Sequence, residues 1–186
     1  TEITLPQDKN NIATCNLVSI NLSAFLGEDK TWDWDRLKEA ARAAVRQLDN
    51  LCDITQTPIP EAMYSNQQTR AIGLGMMGFS DVLEKLGYCY ESKEAYDLVD
   101  QLTEFISYHA IDQSADLAKE LGSYPTFAGS GWSKGLLPID TVDKLSKDRG
   151  VKVKIDQKTR LDWDSLRKKV KKGMRNATLM AIAPTA

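Results

Sequence analysis

RAIGLGMMGFSDVLEKLG, residues 70–87, is the stretch that decides the fold. It opens as an apolar run punctuated by glycines and turns at Gly78 into an amphipathic stretch that closes at Gly87. A short buried run followed at once by helical periodicity predicts a strand entering its helix. Gly73-Leu74-Gly75-Met76-Met77-Gly78 also matches the GxGxxG pattern of a dinucleotide-binding turn. That turn needs a phosphate at the helix N-terminus and an acid about 20 residues on, at the end of a second strand. The acids at that distance, Glu94 and Asp97, fall in a long helical stretch instead. The glycines are therefore expected to serve close helix–strand approach, with a Rossmann-like nucleotide module as the alternative.

On either side the pattern repeats this alternation of short apolar runs and amphipathic stretches. Thr14 to Leu22 is rich in β-branched and apolar residues and predicts a buried strand, or a strand running into a turn. A helix is expected from near Asp33, with Trp34, Leu37, Ala41, Ala44, Leu48 and Leu51 on its inner face, stopped by Pro58 and Pro60. Ser92 is placed to cap a long helix whose stripe runs Ala95, Leu98, Leu102, Phe105, Ile106, Ala110, Leu117 and Leu121, ending at Gly122. A Gly/Ser/Pro loop follows at Ser123–Gly131. Residues 144–160 are a charged surface excursion, in which VKVKI (151–155) has the alternation of an edge strand. Asp162 is expected to cap a last helix bearing Trp163, Leu166 and Val170, with Gly173 as its stop. Both ends, TEITLP and ATLMAIAPTA, read as strands cut in mid-architecture. The sum is an α/β class, helices covering buried parallel strands, in one unit over 1–186 that is expected to be a fragment of a larger chain.

Composition narrows the function. The 42% of hydrophobic residues support a true core, and no run approaches the length that spans a bilayer. With 24 basic and 26 acidic residues there is no global footprint for nucleic acid or membrane. Three cysteines without a CxxC pair exclude a disulfide scaffold and set a reducing cytoplasm as the expected location. One histidine, His109, excludes His-based metal clusters, so no metal site is expected; on the long helix's apolar stripe it is expected to be a satisfied core residue. Taken singly, Glu2 reads as a solvated strand edge before a poised base, and Cys15, Cys52 and Cys89 read as small buried hydrophobes. Thr185 fits either a turn or a phosphate contact. The run Arg167-Lys168-Lys169 with Lys171-Lys172 reads as the solvated face of the last helix. A helical interaction domain, presenting an apolar stripe over 93–121, is a further alternative.

TEITLP, ATCNLVSINLSAF, RAIGLGMMGFSDVLEKLG, GSGWSKGLLPIDT and MRNATLMAIAPTA resemble, in this order, the catalytic-barrel segments of the ribonucleotide reductase large (α) subunit. The resemblance covers essentially the whole chain. It implies part of a ten-stranded α/β barrel of two parallel five-stranded halves, with a finger loop through the centre. The family pattern Asn-Leu-Cys-x-Glu would place Thr1 at x and Glu2 at the carboxylate, with the radical-bearing cysteine immediately before Thr1. Glu2 would then take the 3′-hydroxyl proton during loss of water from C2′. Cys15 would be one half of the dithiol that reduces C2′ and becomes a disulfide. Ala183-Pro184-Thr185-Ala186 would be the substrate-phosphate turn, giving substrate contacts at Thr1, Pro184, Thr185 and Ala186.

The resemblance also implies the partners: a ribonucleotide substrate, the remainder of the large subunit, thioredoxin or glutaredoxin as reductant, and a homo-oligomer when complete. The radical source would be external, a small-subunit dimetal centre in class I or adenosylcobalamin in class II, and SYHAIDQSADLAKE onward looks more like class I. No cofactor is expected within the chain, and no reductase activity from these 186 residues alone. Because Thr1 is an acceptable splicing nucleophile, the two boundaries also fit an extein segment between inteins, a piece of a split gene, or a truncation.

Overall fold

The computed structural model describes residue 5 and residues 7–184. The expected TEITLP strand therefore lies outside the described residues, apart from Leu5. The sheet is built on β1 (Asn16–Asn21) and β2 (Ile72–Met77), which pair in parallel from Asn16 opposite Ile72 to Asn21 opposite Met77. Where ATLMAIAPTA predicts a third strand, one parallel bridge joins Met180 to Leu74. It is held by Leu74 N–H to Leu179 O at 2.7 Å and Ala181 N–H to Leu74 O at 3.0 Å.

Between β1 and β2 the chain makes α1 (Trp34–Ile54) and α2 (Pro60–Thr69). The Asp33 carboxylate caps α1 by accepting from Arg36 N–H at 3.0 Å. The buried face is Leu37, Ala41, Ala44, Val45, Leu48 and Cys52, while Leu51 is exposed. A 3.6-residue period moves the inner face from Leu48 to Cys52, so the expected Leu51 turns outward. The prolines do not act together as a stop. The helix has ended at Ile54, and Pro60 opens α2, because a first helical residue has no use for its N–H. The connection from α2 to β2 passes through Arg70, in left-handed backbone with φ 46°.

β2 runs through Gly78 into α3 (Phe79–Leu86), closed by Gly87, as the opening stretch predicts. α4 (Lys93–Leu121) is the longest element, capped by Ser92 Oγ accepting from Ala95 N–H at 3.2 Å. It packs on α1 and on α6 (Trp163–Val170), whose cap is Asp162 accepting from Ser165 N–H at 3.0 Å. The inner stripe of α4 holds as far as Leu117 and Ala118, and Leu121 is exposed. Between α4 and α6, residues 141–149 form a helix absent from the sequence expectations, α5 (Thr141–Arg149). VKVKI is not a strand: among the described residues, 151–155 have no neighbouring strand, and an edge without a partner is not a ladder.

The core lies between the sheet and the helices. Ile20, Ile72 and Leu74 meet Leu37, Val45 and Leu48 of α1, Leu102, Ile106 and Leu117 of α4, and Leu166 and Val170 of α6. Each such side chain contributes about 1.5–3 kcal/mol by leaving water. All the helical layer lies on one face of the strands. On the other face Leu17 and Met77 remain 38% and 40% exposed.

Candidate functional site

Cys15 immediately precedes β1. Its neighbour Asn16 points into the helical layer, where Asn16 Nδ2 donates to Cys52 Sγ of α1 at 3.5 Å. Successive residues of an extended segment alternate in direction, so Cys15 has the parity of Leu17 and Ser19 rather than of Asn16. It is exposed, with its thiol 3.8 Å from the Asn16 carbonyl oxygen. With Thr14, Asn16, Thr55, Thr57, Met63 and Asn66 it lines a cleft of about 260 Å³.

The other expected site residues are placed less fully. Pro184 is exposed just beyond the 178–182 segment. Thr1, Glu2, Thr185 and Ala186 lie outside the described residues, so their convergence with Cys15 is not measured by the structure. The strips run parallel, which puts Cys15 toward their N-terminal end and Pro184 toward their C-terminal end.

Cys52 and Cys89 separate in character. Cys52 is buried, as expected, and it is also hydrogen-bonded: besides the Asn16 contact, its Sγ donates to the Leu48 carbonyl at 3.4 Å. Burial pushes its pKa up to about 11, so it stays a thiol at neutral pH. Cys89 is exposed in the turn before α4, against the expectation of burial. Cys15 likewise is not a buried hydrophobe.

The glycines of GLGMMG decide between the two readings of that motif. Gly73 and Gly75 lie within β2 rather than in a turn. A Cβ at Gly75 would collide with the Ala181 carbonyl oxygen and sit 3.3 Å from Ile182 Cα. Gly78 takes φ 73° at the start of α3, where a Cβ would meet the Asn21 side chain. The glycines let one backbone cross close to another and leave no phosphate-binding loop, which removes the Rossmann-like alternative.

A buried ionic cluster under the strand starts was not foreseen. Arg70 donates from Nε to Asp49 Oδ1 at 2.8 Å and from Nη1 and Nη2 to Asp53 at 2.6 and 2.9 Å. Arg175 Nε reaches Asp49 Oδ2 at 3.1 Å. Asn176 Nδ2 donates to Asp49 Oδ1 and to the Arg70 carbonyl, and Ser114 Oγ donates to Asn176 Oδ1 at 2.9 Å. Asp49 is 1% exposed and Arg70 6%. Hydrogen bonding to Arg70 lowers the Asp53 pKa, and although burial opposes the charge on Arg70, its two carboxylates raise its pKa further. The available signal was positional: Asp49 lies four residues after Val45 on an apolar stripe, and Arg70 and Arg175 each precede an apolar run.

His109 is buried on α4 between Phe105 and Tyr108, but it is not satisfied. Its Nδ1 has no hydrogen-bond partner among the described residues. Burial, aided by the Lys38 charge, lowers its pKa to about 4. Among the described residues no group of three or more His, Cys, Asp or Glu is placed to hold a metal ion, and no helix is long and apolar enough to cross a membrane.

The family model described as "Ribonucleotide reductase, barrel domain" matches residues 1–186. The chain belongs to this family. Similar proteins include the ribonucleoside-diphosphate reductase subunit alpha of Chlamydia pneumoniae, 46% identical over 188 residues, which takes in all of this chain and 18% of that protein. The subunit alpha of Helicobacter pylori (strain ATCC 700392 / 26695) is 45% identical over 94% of the chain and 21% of its own length. The large subunit of variola virus is 37% identical over the whole chain and 23% of its own length. The chain thus spans about a fifth of the length of these relatives. Family membership makes the parallel strands with their one-sided helical cover part of a barrel domain, as the ordered motifs imply, and it displaces the helical interaction domain.

Proposed function

We propose that this chain serves in the catalytic subunit of a ribonucleoside-diphosphate reductase, an oxidoreductase that converts ribonucleotides to deoxyribonucleotides for DNA synthesis. The observation that carries the reading is Cys15: an exposed thiol immediately before β1 that lines a cleft with Thr55, Met63 and Asn66, in a chain matched over its full length by the reductase barrel family. The Cys15 thiol and a second thiol of the large subunit deliver two electrons and two protons to the substrate. The C2′–O bond breaks, a C2′–H bond forms, the hydroxyl leaves as water and the two sulfurs join as a disulfide. Thioredoxin or glutaredoxin then restores the dithiol. Glu2 holds the 3′-hydroxyl proton as the water departs, a task that needs a carboxylate within hydrogen-bond reach of that oxygen. Thr1, Pro184, Thr185 and Ala186 contact the substrate, the hydroxyl and backbone amides of the last two receiving the phosphates.

The radical that starts the reaction comes from outside this chain: a small-subunit dimetal centre in the class I form that the sequence favours, adenosylcobalamin in class II. In the assembled enzyme the remainder of the large subunit, and a second copy of it, complete the barrel's surroundings, and the cytoplasm is the expected location. The test is steady-state deoxyribonucleotide formation by the full-length subunit. Cys15→Ser abolishes multiple turnover with a redoxin, and Glu2→Gln lowers kcat by about 10²–10⁴, the range for loss of a positioned acid–base group. Wild-type turnover in Cys15→Ser would overturn the assignment.

A further inference from the structure

Charge is unevenly spread along this chain. Residues 141–172 hold twelve basic and five acidic side chains, in a protein whose total is −2. Some of these cations are spent on the fold: Arg160 on Asp100 and Glu104, Arg167 on Asp140, Lys169 on Asp112 and Asp116. Lys147, Arg149, Lys152, Lys154 and Lys158 are not. All five are exposed and have no ion-pair partner among the described residues. They flank or lie within the VKVKI segment that the alternation marks as an edge strand.

The backbone of that segment is as open as its charge. Within 151–155 only Val153 N–H is hydrogen-bonded, to Ser146 Oγ at 3.0 Å. Val151 is 68% exposed and Ile155 48%. Alongside lies a cleft of about 300 Å³ between α4, α5 and this segment, whose apolar wall is Ile139, Val142, Ile155 and Trp163. An extended segment with unused ladder groups, alternate lysines and an adjacent apolar pocket is the arrangement that strand addition uses. Main-chain bonds supply affinity there, and the pocket and charges supply selectivity. A nucleic acid fits less well. The side chains between the lysines are aliphatic, and the neighbouring Trp163 is engaged by Glu104 through its indole N–H and by Tyr108 at its ring.

We propose that residues 151–155 are a docking edge for an acidic, extended segment of a partner protein, which adds as a β-strand and seats an apolar side chain in the Ile139–Trp163 cleft. The test uses the full-length large subunit and a labelled peptide of alternating valine and glutamate, followed by fluorescence anisotropy. The expected result is saturable binding that weakens at least tenfold in the pair Lys152→Glu, Lys154→Glu and at least tenfold between 50 and 300 mM salt, with exchange slowing at amides 151–155. The same peptide N-methylated at alternate residues, which cannot form a ladder, binds at least tenfold more weakly. That arm needs no protein variant. Absence of peptide binding overturns the proposal, as does equal binding of the N-methylated peptide. So does equal or tighter binding of a 20-nucleotide single strand of DNA, or protection of amides 151–155 before peptide is added, which would show that the subunit's own chain occupies the edge.

Discussion

Replacing Gly75 by alanine tests the placement of the 178–182 segment, and with it the turn that follows at Pro184. The new methyl group would collide with the Ala181 carbonyl oxygen and lie 3.3 Å from Ile182 Cα, both backbone atoms that cannot rotate away. The segment must withdraw from β2 by about an ångström, and the two bonds at Leu74, to Leu179 O and from Ala181 N–H, stretch or break. Two backbone hydrogen bonds at about 0.5–1.5 kcal/mol each, with about 1–3 kcal/mol for overpacking, give a loss of about 2–6 kcal/mol. Amide exchange reads this locally. At 1.4 kcal/mol per decade the Ala181 amide exchanges about thirty-fold to about 10⁴-fold faster, while amides in the middle of α4 change less. Gly87→Ala is the control, since its Cβ meets nothing within 4 Å and only the backbone at φ 81° resists, about 1–2 kcal/mol with no special effect at Ala181. Unaltered Ala181 protection and an unchanged urea midpoint in Gly75→Ala would refute the close crossing and revive a turn role for the glycines.

The ionic cluster, the histidine and the cysteines give further outcomes. Arg70→Met leaves Asp49 buried with only part of its cationic partnership and costs about 3–5 kcal/mol by urea unfolding, and the double change Arg70→Met, Asp49→Leu costs less than the sum of the singles. His109 has a folded-state pKa near 4, against 6.5 for the free side chain. Above pH 6.5 both states are neutral there and nothing is at stake. As pH falls from 6.5 to 4 the unfolded chain takes the proton first and stability drops, by about 3 kcal/mol when complete. His109→Leu removes that part of the acid sensitivity, seen as a smaller shift of the urea midpoint between pH 7 and 4.5. Iodoacetamide at pH 8 labels exposed Cys15 and Cys89 at least about 100-fold faster than Cys52, whose raised pKa and burial withhold the thiolate.

Local chemistry was legible wherever the sequence carried its own punctuation. Asp33, Ser92 and Asp162 are helix caps in fact because a short acceptor side chain three residues before a free N–H is a strictly local device. The strand–helix reading of residues 70–87 held for the same reason, with Gly78 and Gly87 in the left-handed backbone that marks its two turns. Pro60 misled because proline signals a boundary without saying which side the helix is on. VKVKI misled because alternation shows what a strand would bury and does not supply the neighbour a strand needs. The Asp49–Arg70–Arg175–Asn176 cluster was illegible because its members are brought together from α1, the start of β2 and the start of the last segment, across up to 127 positions. Of the candidate site, the order of motifs that implies the family could be read from the sequence; the placement of Cys15 could not. Its orientation came from Asn16 reaching Cys52 on the opposite face.

That orientation bears on where the chemistry sits. Parallel sheets are ordinarily covered on both faces, because their strands are apolar throughout and their crossovers lay helices against them. Here α1, α4 and α6 with their ionic cluster pack on Ile20, Ile72 and Leu74, while on the alternate positions Leu17 and Met77 are exposed, Ser19 is half-buried, and Gly73 and Gly75 are buried, Gly75 beneath the Ala181 carbonyl. Small residues and a few exposed apolar ones make a surface that accepts a close-packed second layer without filling the space itself. A thiol placed on the helical side would be like Cys52, locked as a thiol and walled off, whereas Cys15, one residue before Asn16, is exposed. Moving the thiol by one position, with Cys15→Ser and Asn16→Cys together, therefore keeps a cysteine at the start of β1 but turns it inward. The expected outcome is loss of both rapid alkylation and turnover, and retention of either would sink the assignment of faces.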